Sequence, residues 1–90
     1  MVVIVLENAV ESLRGELTRW LIELKPGVFV GTVSALVREK LWKRVADSNR
    51  QEGALLIWDA DTEQGFGIAI TGEPTRSVVD VDGVQLIKVR

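Results

Sequence analysis

Apolar residues in this chain fall into short blocks, and the spacing within each block predicts a different kind of element. Residues 2–6 and 54–58 are continuous runs rich in Val, Leu and Ile, as expected for strands buried on both faces. Residues 66–71 alternate larger apolar side chains with small ones, which is the period of a half-buried strand. Residues 28–30 form a brief apolar run that Gly31 closes. These blocks predict four strands before residue 72.

The segment after the first strand has the spacing of a long amphipathic helix. Its apolar residues recur at steps of three and four, at Val10, Leu13, Leu17, Trp20, Leu21 and Leu24. Asn8 stands three residues before Glu11, a spacing close to that of a capping box with an Asn cap. Pro26 and Gly27 end the pattern. We therefore expect one continuous helix between Asn8 and Pro26.

A second helix is predicted from the middle of the chain to about Asn49. Either Thr32 or Ser34 can cap its N-terminus. Its apolar stripe repeats every four residues, at Val37, Leu41 and Val45. Basic residues such as Lys40 and Lys43 fall on the opposite face, so this helix is expected to bury one side and expose the other.

The C-terminal part of the chain predicts a strand pair. Residues 78–81 and 84–89 are apolar runs joined by the turn sequence Asp82-Gly83. The full order is strand, helix, short strand, helix, strand, strand and terminal strand pair. Within 90 residues this order predicts a single α+β domain over 1–90, a ferredoxin-like sandwich. We expect an antiparallel sheet with two helices on one face and an extra C-terminal strand pair.

Composition narrows the chemistry that this domain can perform. The chain has no cysteine and no histidine, which excludes disulfides, zinc sites built on thiolate or imidazole, and catalysis by either side chain. A metal would need oxygen ligands, as magnesium, manganese or calcium accept. The apolar run at residues 2–6 is far too short to cross a membrane. We expect no membrane association and a cytoplasmic location.

Charge is unevenly distributed along the chain. The formal net charge is −2, which disfavours a strongly basic nucleic-acid-binding domain. Residues 9–50 nevertheless hold eight basic and five acidic side chains, whereas residues 51–90 hold three basic and seven acidic ones. The helical layer can therefore present a cationic face to phosphates. Solvated helix faces have the same composition, and both interpretations stay open.

Acidic and aromatic residues supply the remaining candidates. Glu7 ends the first strand just before a helix, where a carboxylate can bind a metal or simply favour the helix dipole. The acidic run of residues 59–63 lacks the glycine position and the flanking helices of a calcium loop, so a polar hairpin loop is predicted. Trp20, Trp42 and Trp58 are expected to be core or interface anchors.

Several blocks, taken in order, resemble a family of known proteins. Residues 2–8 are similar to that family's opening strand and its acid–Asn end, and Leu13-Arg14-Gly15 matches its first helix. Residues 27–31 followed by 33–35 are close to its most recognisable run, and residues 79–83 match its closing segment. The chain thus resembles the small adaptation protein of type I-E CRISPR systems, the non-integrase partner of the CRISPR integrase.

This resemblance implies a scaffold in spacer acquisition. The protein would be a homodimer that bridges integrase dimers and positions foreign double-stranded DNA for integration into the CRISPR array. Residues 78–90 would pack against the second copy or the integrase, and Asn8, Arg14 and Arg76 fall on positions that contact the DNA backbone. Ser12 and Thr75 stand where relatives carry further arginines, so the cationic track is thinner here.

Two other function classes remain open at this point. Related proteins are metal-dependent ribonucleases or deoxyribonucleases that use an acid at the end of the first strand, here Glu7. The resemblance therefore also implies a magnesium-dependent endonuclease with paired Glu7 carboxylates at the dimer axis, in which Glu7 is both catalytic residue and metal ligand. The scaffold role needs no cofactor. The third class is a dimeric ferredoxin-like module unrelated to nucleic acid.

Overall fold

The computed structural model describes residues 1–8, 10–49, 53–72, 76–81 and 83–89, and for residues 49 and 76 it describes the backbone without the side chain. The elements follow one another in the order β1 (Val2–Leu6), α1 (Glu11–Leu17), β2 (Ile22–Lys25), β3 (Val28–Gly31), α2 (Ala35–Asn49), β4 (Ala54–Asp59), β5 (Phe66–Thr71), β6 (Arg76–Val81) and β7 (Val84–Val89).

Five strands form one sheet in the order β2-β3-β1-β4-β5, and every neighbouring pair is antiparallel. β1 is the central strand, with Ile4 opposite Phe29 of β3 on one side and opposite Leu56 of β4 on the other. β6 and β7 form a separate antiparallel pair, the C-terminal hairpin. The predicted α+β, ferredoxin-like architecture with an extra strand pair is confirmed.

The buried core lies between one face of the sheet and the two helices. Side chains that alternate along β1 enter it together with residues of β3, β4 and both helices, because every second residue of a strand shares a face. Its members are Val2, Ile4, Leu6, Leu13, Leu17, Leu21, Phe29, Leu41, Val45, Ala54 and Leu56. Both helices therefore cover the same face of the sheet, as predicted.

The prediction of one continuous helix between Asn8 and Pro26 is wrong. α1 ends at Leu17, and the amides of Trp20 and Leu21 close the last turn by donating to the Leu17 carbonyl, at 3.0 and 2.8 Å. The chain then forms β2, which pairs with β3 through the two-residue turn Pro26-Gly27. Gly27 has φ +83°, which suits glycine at a tight turn. The ladder to β3 satisfies backbone groups that a longer helix would have satisfied internally.

The predicted capping box at the start of this helix is also wrong. Val10 occupies the N-cap position of α1 and makes no side-chain capping bond. Asn8 lies two residues earlier with φ +51°, in the left-handed region that Asn tolerates better than most residues. The chain turns sharply at Asn8, which places Glu11 inside the first helical turn without an Asn cap to complete the box.

The second helix agrees with its prediction. Of the two alternatives for its cap, Ser34 is the residue used, because its Oγ accepts a hydrogen bond from the Val37 amide at 3.2 Å. Leu41 and Val45 are buried in the core and Val37 packs against it. Neither α2 nor any other helix within the described residues is long and apolar enough to cross a membrane.

Trp58 occupies space that a glycine leaves open on the neighbouring strand. Trp58 of β4 lies directly opposite Gly67 of β5, and a Cβ atom added to Gly67 would come closer than 3.0 Å to three atoms of the indole ring. The guanidinium carbon of Arg38 lies 4.9 Å from the centroid of this ring, within the range of a cation–π contact. Gly67 therefore allows the indole to lie across β5 and meet α2.

Replacing Gly67 with alanine should destabilise the fold, because the added methyl group must displace the Trp58 ring. We expect a loss of about 1–3 kcal/mol in the free energy of unfolding. Gly15→Ala is the matched control, since Gly15 lies inside α1 and, apart from its chain neighbours and the helix's own backbone, no atom of the described residues comes within 4 Å of its added Cβ. That variant should be more stable than wild type by about 0.5–1 kcal/mol. Denaturant unfolding measures the free energy of unfolding of both variants. The same change in Gly67→Ala and Gly15→Ala would contradict these expectations.

Candidate nucleic-acid interface

Glu7 lies where the central strand leaves the sheet, as its place in the sequence predicts. Its amide donates to the carbonyl oxygen of Gly53 at 3.2 Å, which continues the β1–β4 pairing one step beyond Leu6. One carboxylate oxygen lies 3.7 Å from the position that a Cβ atom on Gly53 would occupy. Since Leu6 enters the core, Glu7 lies on the opposite face of the sheet. The exposed carboxylate therefore sits at one end of the face that the helices leave uncovered.

The described residues do not by themselves form a magnesium site around Glu7. Among the described residues, no three or more Asp, Glu, His or Cys side chains come together in a group that could hold a metal ion. A magnesium site at Glu7 would need oxygen ligands beyond this described set, and the predicted pairing of two Glu7 carboxylates at a dimer axis is one source of them. The catalytic and metal-binding roles of Glu7 stay predictions.

Arg14, predicted to contact DNA, is held in place by Glu23. Its Nε and Nη2 atoms each donate to one carboxylate oxygen of Glu23 at 3.1 Å, so the pair is bidentate. The Gly27 amide also donates to Glu23 at 3.1 Å, which ties α1 to the β2–β3 turn. The Nη1 group of Arg14 takes no part in this fork. Arg14 thus has a fixed orientation while part of its guanidinium can face a phosphate.

The electrostatics of this pair are reciprocal. The hydrogen bond from Arg14, with that from the Gly27 amide, lowers the pKa of the Glu23 carboxyl below its ordinary value. Glu23 in turn raises the pKa of Arg14. Sequence analysis did not anticipate this partner, because Glu23 was assigned to a helix face. Its place on an edge strand beneath α1 depends on the β2–β3 pairing.

A second bidentate pair links the two helices. Arg44 of α2 donates from Nε and Nη2 to the carboxylate of Glu16 on α1, with a shortest distance of 2.8 Å. The hydrogen bond from Arg44 lowers the pKa of Glu16. Two of the basic residues on the helical layer are therefore already paired with acids, which reduces the positive charge that this layer presents.

The other predicted DNA contacts are placed less completely. Asn8 is exposed and follows Glu7 in the turn before α1. Arg76 begins β6, where it pairs with Val89, but its side chain lies outside the described residues. The structure therefore puts Asn8 in the turn between β1 and α1, Arg14 inside α1 and Arg76 at the start of the C-terminal hairpin, and the contacts of all three with DNA stay predictions.

The acidic run after β4 forms the predicted polar hairpin loop. The Ala60 amide donates to the Gly65 carbonyl at 3.1 Å, and the Gly65 amide donates to the Thr62 hydroxyl at 3.2 Å. Asp59 pairs with the N-terminal ammonium of Met1 at 2.6 Å. Asp80 has a comparable local role, since its carboxylate accepts from the Gly83 amide at 2.9 Å. Asp59 and Asp80 thus stabilise chain ends and turns.

The face of the sheet opposite the helices is apolar from one edge to the other. Cross-strand partners share a face, so the register Ile22–Val30–Val3–Ile57–Ile68 forms one row and Val28–Val5–Leu55–Ile70 forms a second. We call this surface the outer face. Ile22, at its edge, is 69% exposed, and the other side chains of the rows are half-buried. The apolar runs at residues 2–6 and 54–58 predict strands that are buried on both faces. In the single protomer, the face of these strands towards the helices is buried and the outer face is half-buried.

The tryptophans divide between the core and the surface. Trp42 and Trp58 pack against the core, as predicted. Trp20 follows α1 and is 54% exposed, beside Val37 and Lys40 of α2. Trp20 is therefore not a core residue of this protomer. Of its two predicted roles, that of an interface anchor stays a prediction.

These features define a small ferredoxin-like protein with an apolar outer face, an exposed acid at the end of its central strand and paired cations on its helical layer. The model of one protein family, described as CRISPR-associated protein (Cas_Cas2CT1978), matches residues 1–86. The chain therefore belongs to this family of CRISPR-associated proteins. The resemblance found from the sequence is confirmed at the level of the family, and the type I-E subtype stays a prediction.

The Arg14–Glu23 pair should make stability depend on pH in the acid range. The lowered pKa of Glu23 means that the native state favours the ionised carboxylate, so this stabilisation is complete above the ordinary glutamate value of 4.5. It is lost as pH falls from there through the lowered value. Glu23→Gln should therefore show a smaller drop in Tm than wild type between about pH 7 and about pH 3. Thermal unfolding followed by circular dichroism measures this, and parallel curves would contradict it.

Proposed function

We propose that this protein is a CRISPR adaptation scaffold. In this proposal a homodimer bridges integrase dimers in the cytoplasm and holds foreign double-stranded DNA for integration into the CRISPR array. Membership of the CRISPR-associated family supplies the biological setting. The structural observation that supports a scaffold best is the outer face, because it is too apolar to be a stable water-exposed surface of a 90-residue chain.

A second copy of the chain is the occupant that best suits the outer face. The face is flat and apolar in both rows, so two copies can pack it against itself around a two-fold axis, as sheets pack in sandwiches. Such a dimer would leave both helical layers on the outside. The region of the sequence richest in basic residues would then face solvent on both sides, where duplex DNA can approach.

The C-terminal hairpin is the proposed docking element for the integrase. Its exposed apolar side chains are Val81, Leu86, Ile87 and Val89. They project from a strand pair that is separate from the main sheet. Apolar side chains on a projecting hairpin offer a partner both contact area and strand edges. This assigns residues 78–90 to partner docking, whereas the dimer contact falls mainly on the outer face.

A magnesium-dependent endonuclease acting on RNA or DNA is the second candidate. The observation in its favour is that Glu7 lies at the end of the outer face, so a dimer formed through that face can bring two Glu7 carboxylates towards one axis. Magnesium prefers such oxygen ligands. The scaffold is favoured because its elements, an apolar pairing face and oriented surface cations, are present in each protomer.

Charging the centre of the outer face should separate the dimer. Ile57→Lys places an ammonium group inside the first apolar row, between Val3 and Ile68, where a packed second sheet would have to desolvate it. We expect light scattering to show a dimer for wild type and a monomer for this variant at micromolar concentration. Leu36→Lys is the control, because Leu36 lies on α2 and is already 62% exposed. A dimeric Ile57→Lys protein with native circular dichroism would rule out the outer face as the interface.

Substitution of the predicted site residues separates the scaffold from the nuclease. Glu7→Ala should leave spacer integration by the assembled complex nearly intact, since no bond-breaking step in a scaffold uses that carboxylate. Arg14→Ala and Arg76→Ala should weaken binding to duplex DNA of any sequence, and each lost phosphate contact should reduce the salt slope of log K by about 0.9.

The same proteins supply the contradicting outcomes. Loss of integration in Glu7→Ala, with normal complex assembly, would favour the nuclease, as would magnesium-dependent cleavage that Glu7→Ala abolishes. Unchanged salt slopes in both arginine variants would show that the DNA runs elsewhere. Arg44→Ala provides the control, because Arg44 also donates to a glutamate through Nε and Nη2 but is not one of the three residues that the resemblance assigns to the DNA backbone.

A further inference from the structure

The C-terminal hairpin is anchored to the main sheet near its tip by two glutamine side chains. The hairpin leaves the sheet between Thr71, the last residue of β5, and Arg76, the first of β6. Its turn lies at the other end, where Val81 pairs with Val84. Gln85 is the next residue of β7 after that turn. An attachment at Gln85 therefore holds the end of the hairpin that is far from its covalent connection.

The two glutamines form consecutive links, from Gln64 to Gln85 and from Gln85 to Ile68. The side-chain amide of Gln64, in the loop before β5, donates to the Gln85 carbonyl at 2.8 Å and accepts from the Gln85 amide at 2.9 Å. The side-chain amide of Gln85 in turn accepts from the Ile68 amide at 2.8 Å and donates to the Ile68 carbonyl at 3.3 Å. We call these four hydrogen bonds the amide clamp.

In the amide clamp, glutamine side chains make the hydrogen bonds that a neighbouring strand makes in a β-ladder. A glutamine amide carries the same donor and acceptor as a peptide group, so it can pair with both backbone groups of one residue. β5 is the edge strand of the sheet, and Gln85 occupies the outward-facing backbone groups of Ile68 at its centre. All four bonds are partly shielded from water. Losing one glutamine leaves partly buried backbone groups without these partners.

We propose that Gln64 and Gln85 are positioning residues that fix the orientation of the C-terminal hairpin and thereby set its affinity for the partner that binds it. Held at its base by the chain and at its tip by the clamp, the hairpin presents its exposed apolar side chains in one orientation. Without the clamp its tip loses four hydrogen bonds to the main sheet and the loop before β5, so the hairpin can adopt other orientations. This inference rests on the proposed docking of the integrase through the hairpin.

The expected loss of affinity follows from the fraction of molecules whose hairpin is in the orientation that binds the partner. A partner binds the competent orientation, so the apparent dissociation constant rises in inverse proportion to the fraction of molecules in that orientation. If release of the clamp lowers this fraction to about one tenth, binding weakens about tenfold. The intrinsic contact between hairpin and partner does not change, because neither glutamine belongs to the exposed apolar set.

The double variant Gln64→Met/Gln85→Met tests the inference in the full-length chain. Methionine keeps the length and removes the hydrogen-bonding groups of both side chains, so all four bonds of the amide clamp are lost. The chain has no cysteine, so Lys43→Cys on α2 and Lys88→Cys on β7 introduce one pair of spin labels per chain, and mixing with an excess of unlabelled chains leaves one labelled chain in each dimer. In this double variant we expect a broader label distance distribution, faster hydrogen exchange of the Ile68 amide and about tenfold weaker binding to the purified integrase of the same CRISPR locus. Amides of β1 should keep their protection, which shows that the fold is intact.

Two further variants distinguish failure of the positioning role from failure of the docking proposal. Thr62→Val removes the hydroxyl that accepts from the Gly65 amide, in the same loop as Gln64, and should leave label distances and affinity unchanged. Leu86→Asp charges the exposed docking face with the clamp intact, and should abolish integrase binding at an unchanged label distance. If Leu86→Asp abolishes binding but the Gln64→Met/Gln85→Met variant retains wild-type affinity, the positioning role is overturned. If Leu86→Asp binds as wild type does, the docking proposal itself fails, and the positioning role with it.

Discussion

The central position of β1 is the constraint on which the rest of the structure depends. This strand pairs with β3 on one side and β4 on the other, so it carries ladders on both edges and apolar side chains on both faces. One face, through Ile4 and its neighbours, gathers both helices into a single core. The other face, through Val3 and Val5, organises the outer face. Glu7 is located by the same strand, because it is the first residue beyond the paired region.

Polar contacts then decide how the peripheral parts attach to this centre. The Arg14–Glu23 pair links α1 to the β2–β3 turn, and the Glu16–Arg44 pair links the two helices. Partly exposed ion pairs contribute little to stability, so their main effect is orientation. The amide clamp acts in the same way on the C-terminal hairpin. A small protein with little buried volume can thus hold several surface groups in defined directions, which a scaffold for DNA and protein partners requires.

Much of the architecture followed from local pattern. The spacing of Leu41 and Val45 predicted the buried stripe of α2, and alternation predicted β5, because both signals reflect periodicities that hold wherever the element lies. The first helix failed for a physical reason. Leu24 fits a helical spacing from Leu21 and a strand spacing from Ile22 equally well, and pairing of β2 with β3 decides between them. The error also concealed Glu23, whose contact with Arg14 exists because residue 23 lies in a strand.

The sequence by itself determined the type of fold, the absence of cysteine and histidine chemistry, the place of Glu7 at a strand end and the resemblance to a CRISPR-associated family. These depend on residue identity and short-range spacing. Tertiary structure decided what depends on contacts between distant positions. The register across five strands joined separate apolar runs into one outer face. The same long-range folding brought Gln64 to Gln85, a pair that no local pattern marks because its partners are backbone groups 17 and 21 residues away in sequence.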